Sequence, residues 1–274
     1  MTDLMRAGAS LDLSAIDSRS TPGFEGGKQG GAAALAADVD ELSGLQERLY
    51  ASSRAGHTSR VLLVLQAMDT AGKGGIVRHV VGAVDPQGVQ LAAFTKPTPE
   101  ELAEHFFARI ERRLPAPGMI GVFDRSHYED VLIARVRSLV EPEVIERRYG
   151  EIRDFERRIA DGGTSIVKVM LHISPEEQKA RLAERLDRPD KHWKYNPGDV
   201  DERMLWPDYM AAYERAITET DADHAPWFVV PADRKWFARL AVQRLLTDAL
   251  RDIDPQWPKA DFDVEAEKVR LAAS

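Results

Sequence analysis

The stretch RVLLVLQAMDTAGKGG, residues 60–75, joins an unbroken apolar run to a glycine-rich turn. A run of branched apolar residues fits a parallel strand buried on both faces. The segment after it, residues 76–84, carries apolar residues at helical spacing. Strand, glycine-rich turn and helix form the setting of a phosphate-binding P-loop, the Walker A element. There, successive backbone N–H groups make an anion-binding hollow, and the helix start adds a favourable dipole. Gly72, Gly74 and Gly75 supply the turn, and Lys73 adds a compact cation able to follow a moving phosphoryl group. Two positions depart from the usual pattern. Ala67 stands where the first glycine is expected, and Gly74 where a hydroxyl residue normally holds Mg²⁺. A hard cation needs oxygen ligands, which makes Asp69 the candidate replacement. The alternative is an ordinary strand-to-helix connection capped by those glycines, with Lys73 exposed.

Outward from this stretch the chain alternates. Short apolar runs recur at residues 89–94, 119–123, 166–173 and 227–230. Between and after them lie amphipathic stretches at 99–114, 142–159, 175–186 and 234–253, with an earlier one at 35–52. Strands alternating with helices predict an α/β fold, a three-layer α/β/α arrangement around a mostly parallel sheet. Residues 1–34, rich in Gly, Ala and Ser, read as a flexible N-terminal arm without regular structure. One interval, about residues 185–225, holds no strand candidate. It carries a charged segment and then a helical one with Trp206, Tyr209, Tyr213 and Ile217. A mobile lid fits that place, and a surface excursion without a role is the alternative. All of this fits one domain over residues 1–274.

Bulk properties narrow the class. With 274 residues, 43% hydrophobic and 30% charged, the chain can bury a substantial core. No apolar run approaches the ~20 residues of a membrane helix, and the start lacks a basic, then apolar, secretory pattern. A cytoplasmic protein without membrane contact is expected. The absence of cysteine excludes disulfides, thiolate metal sites and a cysteine nucleophile. A net charge of -8 argues against a nucleic-acid-coating surface. It leaves room for a polyanionic substrate bound by cations focused in one cleft.

The run ending at 123 leads into DRSHYED, residues 124–130. A carboxylate at the end of a buried strand occupies the Walker B place, so Asp124 is a second candidate metal ligand and Arg125 a candidate phosphate fork. Asp124 as a cap for the next segment is the alternative. A phosphate acceptor is already ionised at neutral pH and needs no base, so His127 is expected to pack or hydrogen-bond. Arg181, Arg185, Arg188, Lys191 and Lys194 make the densest cation cluster. Arg181 and Arg185 share a helix face. Pro189 and Pro197 predict extended chain beyond it, and Trp193 among the cations suggests a docked segment. A merely solvated face, partly neutralised by Glu184, Asp187 and Asp190, is the plain alternative.

With these residues in hand, the chain resembles the polyphosphate kinase 2 family. The likeness runs over residues 21–246 and rests on MDTAGKGG (68–75), FDRSHYEDV (123–131), DRPDKHWKYNPGD (187–199) and HAPWFVVPADRKWFAR (224–239). The resemblance implies a thymidylate-kinase-like core with a helical lid, and transfer of phosphoryl groups between inorganic polyphosphate and nucleotides. Mg²⁺ is the implied cofactor, with Mn²⁺ a substitute. By position, Asp69 and Asp124 would hold the metal, Lys73 would bridge donor and acceptor phosphates, and Arg125 would complete the Walker B pair. Arg185, Arg188, Lys191 and Lys194 would close over the reacting phosphates, and Arg78 would line the polyphosphate path. Glu129 follows the tyrosine as in the branch accepting both nucleoside mono- and diphosphates. That branch implies AMP to ADP and ADP to ATP, with guanine nucleotides as further acceptors. A homo-oligomer, dimer or tetramer, is also implied. An ATP-dependent P-loop kinase and a non-catalytic polyphosphate- or nucleotide-binding module remain the competing functions.

Overall fold

The computed structural model describes residues 1–8 and 10–274. Five strands, β1 (Arg60–Ala67), β2 (Val89–Ala93), β3 (Ile120–Asp124), β4 (Thr164–His172) and β5 (Trp227–Pro231), form one sheet ordered β2-β3-β1-β4-β5. Every neighbouring pair is parallel. Before β1 come α1 (Gly27–Ala37) and α2 (Val39–Arg54), and α3 (Lys73–His79) follows it. Between β2 and β3 lie α4 (Pro99–Leu102) and α5 (Ala108–Glu111), and between β3 and β4 lie α6 (Ile133–Val136) and α7 (Pro142–Asp161). After β4 come α8 (Pro175–Asp187), α9 (Gly198–Arg203) and α10 (Trp206–Thr220). After β5 come α11 (Lys235–Ile253) and α12 (Val264–Ala272).

The apolar run of β1 explains its central place. Successive side chains point to opposite faces of a strand. Val61, Leu63 and Leu65 therefore join the core under α2, α3 and α11. Leu62 and Val64 join the core under α7 and α10. The expected three layers are what the chain builds. In the register of β1 and β3, Leu65 stands beside Asp124. The loops leaving these two neighbours, 67–75 and 124–130, therefore open at the same edge of the sheet. This is the crevice that parallel sheets offer ligands, outside the carboxyl ends of their strands.

Several expectations are corrected. The N-terminal arm is ordered: Met5 and Leu13 are buried, and α1 begins at Gly27 rather than after residue 34. Its glycines mislead because Gly31 is the seat of Trp236, whose ring would lie 2.1 Å from a Cβ there. The segment 99–114 is two short helices rather than one. Thr98 closes a capping box with Glu101, and His105 Nδ1 accepts the Phe107 N–H, competing with a continuing helix. Phe107 then stacks on Phe155 at 4.3 Å. Helices expected at 35–52 and 76–84 break at Asp38 and end at His79. The cations past α8 do not lie on extended chain, because Pro189–Lys194 winds into a 3₁₀ helix. Trp193 there is 78% exposed, so it does not dock the segment. No helix is long and apolar enough to cross a membrane among the described residues.

Candidate active site

The loop after β1 turns sharply. Thr70 has φ 66° and Gly72 φ 122°, and only the second is free for its residue type. A non-glycine residue in the left-handed region costs about 1–2 kcal/mol and needs a surrounding that enforces it. Arg181 supplies that surrounding. Its Nη1 donates to the Thr70 and Ala71 carbonyls at 3.0 and 2.8 Å, and its Nη2 to those of Ala232 and Asp233 at 2.7 and 3.0 Å. Nε pairs with Glu177 at 2.7 Å. Gln178 adds a donor to the Asp69 carbonyl at 3.2 Å. Arg181 is therefore not the substrate-facing lid cation its spacing suggested: it is buried, with every donor nitrogen turned to protein acceptors. Lys73 lies along the loop, its Nζ 3.3 Å from the Ala67 carbonyl.

The turn after β3 carries the second half of the site. Arg125, at φ 64°, has its N–H on the Leu65 carbonyl and its guanidinium on Asp69 Oδ1 at 2.9 Å. Glu129 Oε2 lies 4.0 Å from the other Arg125 nitrogen. Burial opposes the Arg125 charge, but Glu129 and Asp69 hold it more firmly protonated than an ordinary arginine. Burial pushes Glu129 above the usual carboxylate range, against the pull of Arg125 and Lys73. With its amide oriented to satisfy both ends, Gln66 donates to Glu129 at 3.0 Å and accepts from Ser126 at 3.1 Å. Ser126 also caps the 3₁₀ turn His127–Asp130, so Asp124 is not needed as that cap.

Two cavities meet here. The first, about 390 Å³, is lined by the loop from Asp69 to Gly75, with Arg78, Asp124, Arg185 and Lys194 around it. The second, about 230 Å³, lies between the turn and the α9–α10 segment, with Glu129, Asp199, Glu202, Tyr209 and Tyr213 in its wall. Asp69 and Arg125 line both. Of the remaining predicted cations, Arg188 is paired with Asp190 and Glu184, and Lys191 with Asp190. Neither lines a cavity of the site. Another cavity, about 460 Å³, opens by Ser165, His224 and Asp252 at the amino ends of β4 and β5. It shares no residue with the two loops.

A metal ion fits only in part on protein ligands. Among the described residues no group of three or more His, Asp and Glu is poised for one. Asp69 and Asp124 line the same cleft, and Asp69 commits only Oδ1 to Arg125. Mg²⁺ is commonly held by one or two carboxylates together with substrate phosphates and water, which this pair suits.

The family model described as Polyphosphate kinase 2 matches residues 27–258. The chain belongs to the polyphosphate kinase 2 family. It is 46% identical over 251 residues to the AMP/ADP-polyphosphate phosphotransferase of Meiothermus ruber, covering 92% of each chain. It is 42% identical over 237 residues to the ADP-polyphosphate phosphotransferase of Rhodopseudomonas palustris, covering 82% of this chain and 81% of that one. Among solved structures it superposes on the polyphosphate kinase 2 of Arthrobacter aurescens TC1 with TM-score 0.97 and 56% identity, over 99% and 96% of the two chains.

Behind the candidate site of this polyphosphate kinase 2 family member lies a buried network that the sequence alone did not reveal. Lys168, in the middle of β4, donates to Glu156 at 2.6 Å, to the Thr220 carbonyl at 2.8 Å and to the Tyr128 hydroxyl at 2.9 Å. His127 contacts Glu156 at 3.1 Å, so it has the hydrogen-bonding place expected of it. The network ties the turn carrying Arg125 and Glu129 to the end of α10, which carries Tyr209 and Tyr213. One signal was visible: a lone lysine inside the apolar run SIVKVML. Asp199, Glu202, Tyr209 and Tyr213 were also missed as cavity residues, since only folding brings the α9–α10 segment over the loop.

Proposed function

We propose that this chain moves phosphoryl groups between inorganic polyphosphate and adenine nucleotides, AMP to ADP and ADP to ATP, reversibly and with Mg²⁺. The observation carrying this is the meeting of two cavities at Asp69 and Arg125. One is lined by the phosphate loop, Arg78, Arg185 and Lys194, and suits a chain of phosphates. The other, with aromatic rings and carboxylates, suits a nucleoside whose ribose hydroxyls need acceptors. The names of the relatives support the same substrates. Glu129, in the wall of the second cavity, would sense acceptor length in this reading.

A terminal phosphate oxygen of the nucleotide attacks the end phosphorus of the chain in line. The bridging P–O bond behind that phosphorus breaks, and the shortened polyphosphate leaves with the electron pair. No protein group needs to take a proton. The chain's own contribution is positioning and charge neutralisation. Lys73 sits where donor and acceptor phosphates approach, and Arg125 faces both cavities. Mg²⁺, held by Asp69 and Asp124, would neutralise phosphate oxygens and orient them. Arg185 and Lys194 close the cleft from the α8–α10 lid, about residues 185–225, and Arg188 and Lys191 join them as it shuts. A cytoplasmic homo-oligomer, dimer or tetramer, completes this reading.

The test is an ATP-free assay with AMP or ADP, Mg²⁺ and long-chain polyphosphate. ADP and ATP are the expected products. Absence of both, with activity restored by ATP as donor, points instead to an ATP-dependent kinase, and tight binding without turnover to a binding module.

A further inference from the structure

The basic residues of α11 are paired, with one exception. Lys235 meets Glu184 at 3.7 Å, Arg244 meets Asp38 at 2.9 Å and Arg251 meets Glu41 at 2.7 Å. Arg239, among the described residues, meets no carboxylate and makes no side-chain hydrogen bond, although it is half-buried. Its guanidinium lies against the phosphate loop: a Cβ on Gly75 would stand 3.8 Å from Nη2 and 3.9 Å from Nε. Arg78 and His79, both exposed on α3, likewise have no carboxylate partner among the described residues. Burial and the neighbouring Arg78 push Arg239 below the usual arginine range. Burial, then Arg239 and Arg78, push His79 below the ordinary imidazole range.

A partly desolvated cation beside a second cation is unfavourable unless an anion neutralises both. The protein supplies none here, while it supplies one to each other base on the helix. Gly75 and Arg78 already line the phosphate cleft, so the unpaired bases continue that cleft away from the reacting end. Backbone at Gly75 without a side chain leaves the way past Arg239 open.

We propose that Arg239, with His79 beside it, is a distal binding stretch for the polyphosphate chain, holding phosphates behind those in reaction and setting how activity depends on chain length. The proposal rests on the polyphosphate reading above. Because these groups touch only the far part of a long donor, they leave the transfer step and the nucleotide alone.

The experiment measures kcat/KM for donors of graded length, from tripolyphosphate to long chains, at saturating ADP. In Arg239→Ala, KM for long chains should rise about tenfold to a hundredfold, the range for losing a charged hydrogen bond. The deficit should shrink as the donor is shortened toward tripolyphosphate, with KM for ADP unchanged. Arg239→Lys should recover part of the loss. The exposed His79→Glu should reproduce the length-selective defect without disturbing the core, which guards against misfolding of the first variant. An equal loss at every length, or no loss at any, overturns the inference while leaving the functional reading intact. A wild-type protein that uses no polyphosphate of any length overturns both.

Discussion

Replacing Arg181 with alanine removes five hydrogen bonds at once. Four of them reach backbone carbonyls, two in the phosphate loop and two in the segment joining β5 to α11. The side chain is 5% exposed, so water does not screen the loss. Breaking a buried charged network costs about 3–5 kcal/mol, since it strands the remaining partners. For a chain of this size each kcal/mol lowers Tm by roughly 2–4 °C, so the fall should be about 6–20 °C. Function should drop further than stability alone explains. Without the guanidinium the carbonyls of Thr70 and Ala71 lose the donors that help enforce φ 66° at Thr70, and the loop can relax out of the left-handed region. A displacement near 1 Å at a reacting centre costs on the order of 10²-fold in rate. The assay pairs differential scanning calorimetry with steady-state kinetics at 20 °C or more below the variant's own Tm, as a rough margin to keep it folded. Arg181→Lys keeps the charge but not the planar fork, and should recover stability only in part. A variant that melts within about 2 °C of wild type and keeps its kcat would refute the clamp.

Other residues give independent checks. Lys73→Ala should lower kcat with polyphosphate by on the order of 10²- to 10³-fold at nearly unchanged Tm, and near-normal turnover rejects its bridging role. Lys168→Met strands the buried Glu156 carboxylate and should cost about 3–5 kcal/mol in denaturant unfolding, whereas Lys168→Met with Glu156→Gln should recover much of it; a double variant no better than the single one contradicts the pairing. Burial holds the folded pKa of Glu129 above its ordinary 4.5. Between those two values the native state keeps a proton the unfolded chain has lost, so stability falls as pH rises through the window. Glu129→Gln removes this contribution, so its stability relative to wild type should climb from about pH 4.5 upward; a pH-independent difference in unfolding free energy contradicts it.

How much was legible before folding depended on whether the signal was local. The strands were written in branched apolar runs such as that of β1, and their positions agree with the structure to within a residue or two at most ends. The loop at 67–75 was legible because its glycines, lysine and aspartate are contiguous. Arg181 shows the limit. Its spacing from Arg185 is a true statement about a helix face, yet which of two neighbouring arginines turns inward depends on carbonyls at residues 70, 71, 232 and 233. The N-terminal arm failed for a related reason. Composition reports the unfolded cost of glycine, while the ring of Trp236 against Gly31 is a tertiary gain from a residue 205 positions away. The second cavity was invisible because its walls come from the turn after β3 and from α10, some 80 residues later.

The same arm bears on how copies of the chain can meet. A five-stranded sheet has two edges, here β5 and β2. Arg6 forms an antiparallel bridge to Phe228, and the Ala7 N–H reaches the Trp227 carbonyl at 2.8 Å, so the β5 margin is already occupied. The Arg6 ion pair to Asp221 at 3.1 Å holds that cover down. At the β2 margin no strand pairs beyond it among the described residues, and Leu91 is half-exposed. A sheet with one open margin can be extended once and no further. Strand-to-strand joining of two copies through such a margin would be self-complementary and would close into a pair. Runaway edge-to-edge growth, the hazard of any open sheet, needs two free margins. The first residues of the chain thus act as a terminator for the sheet.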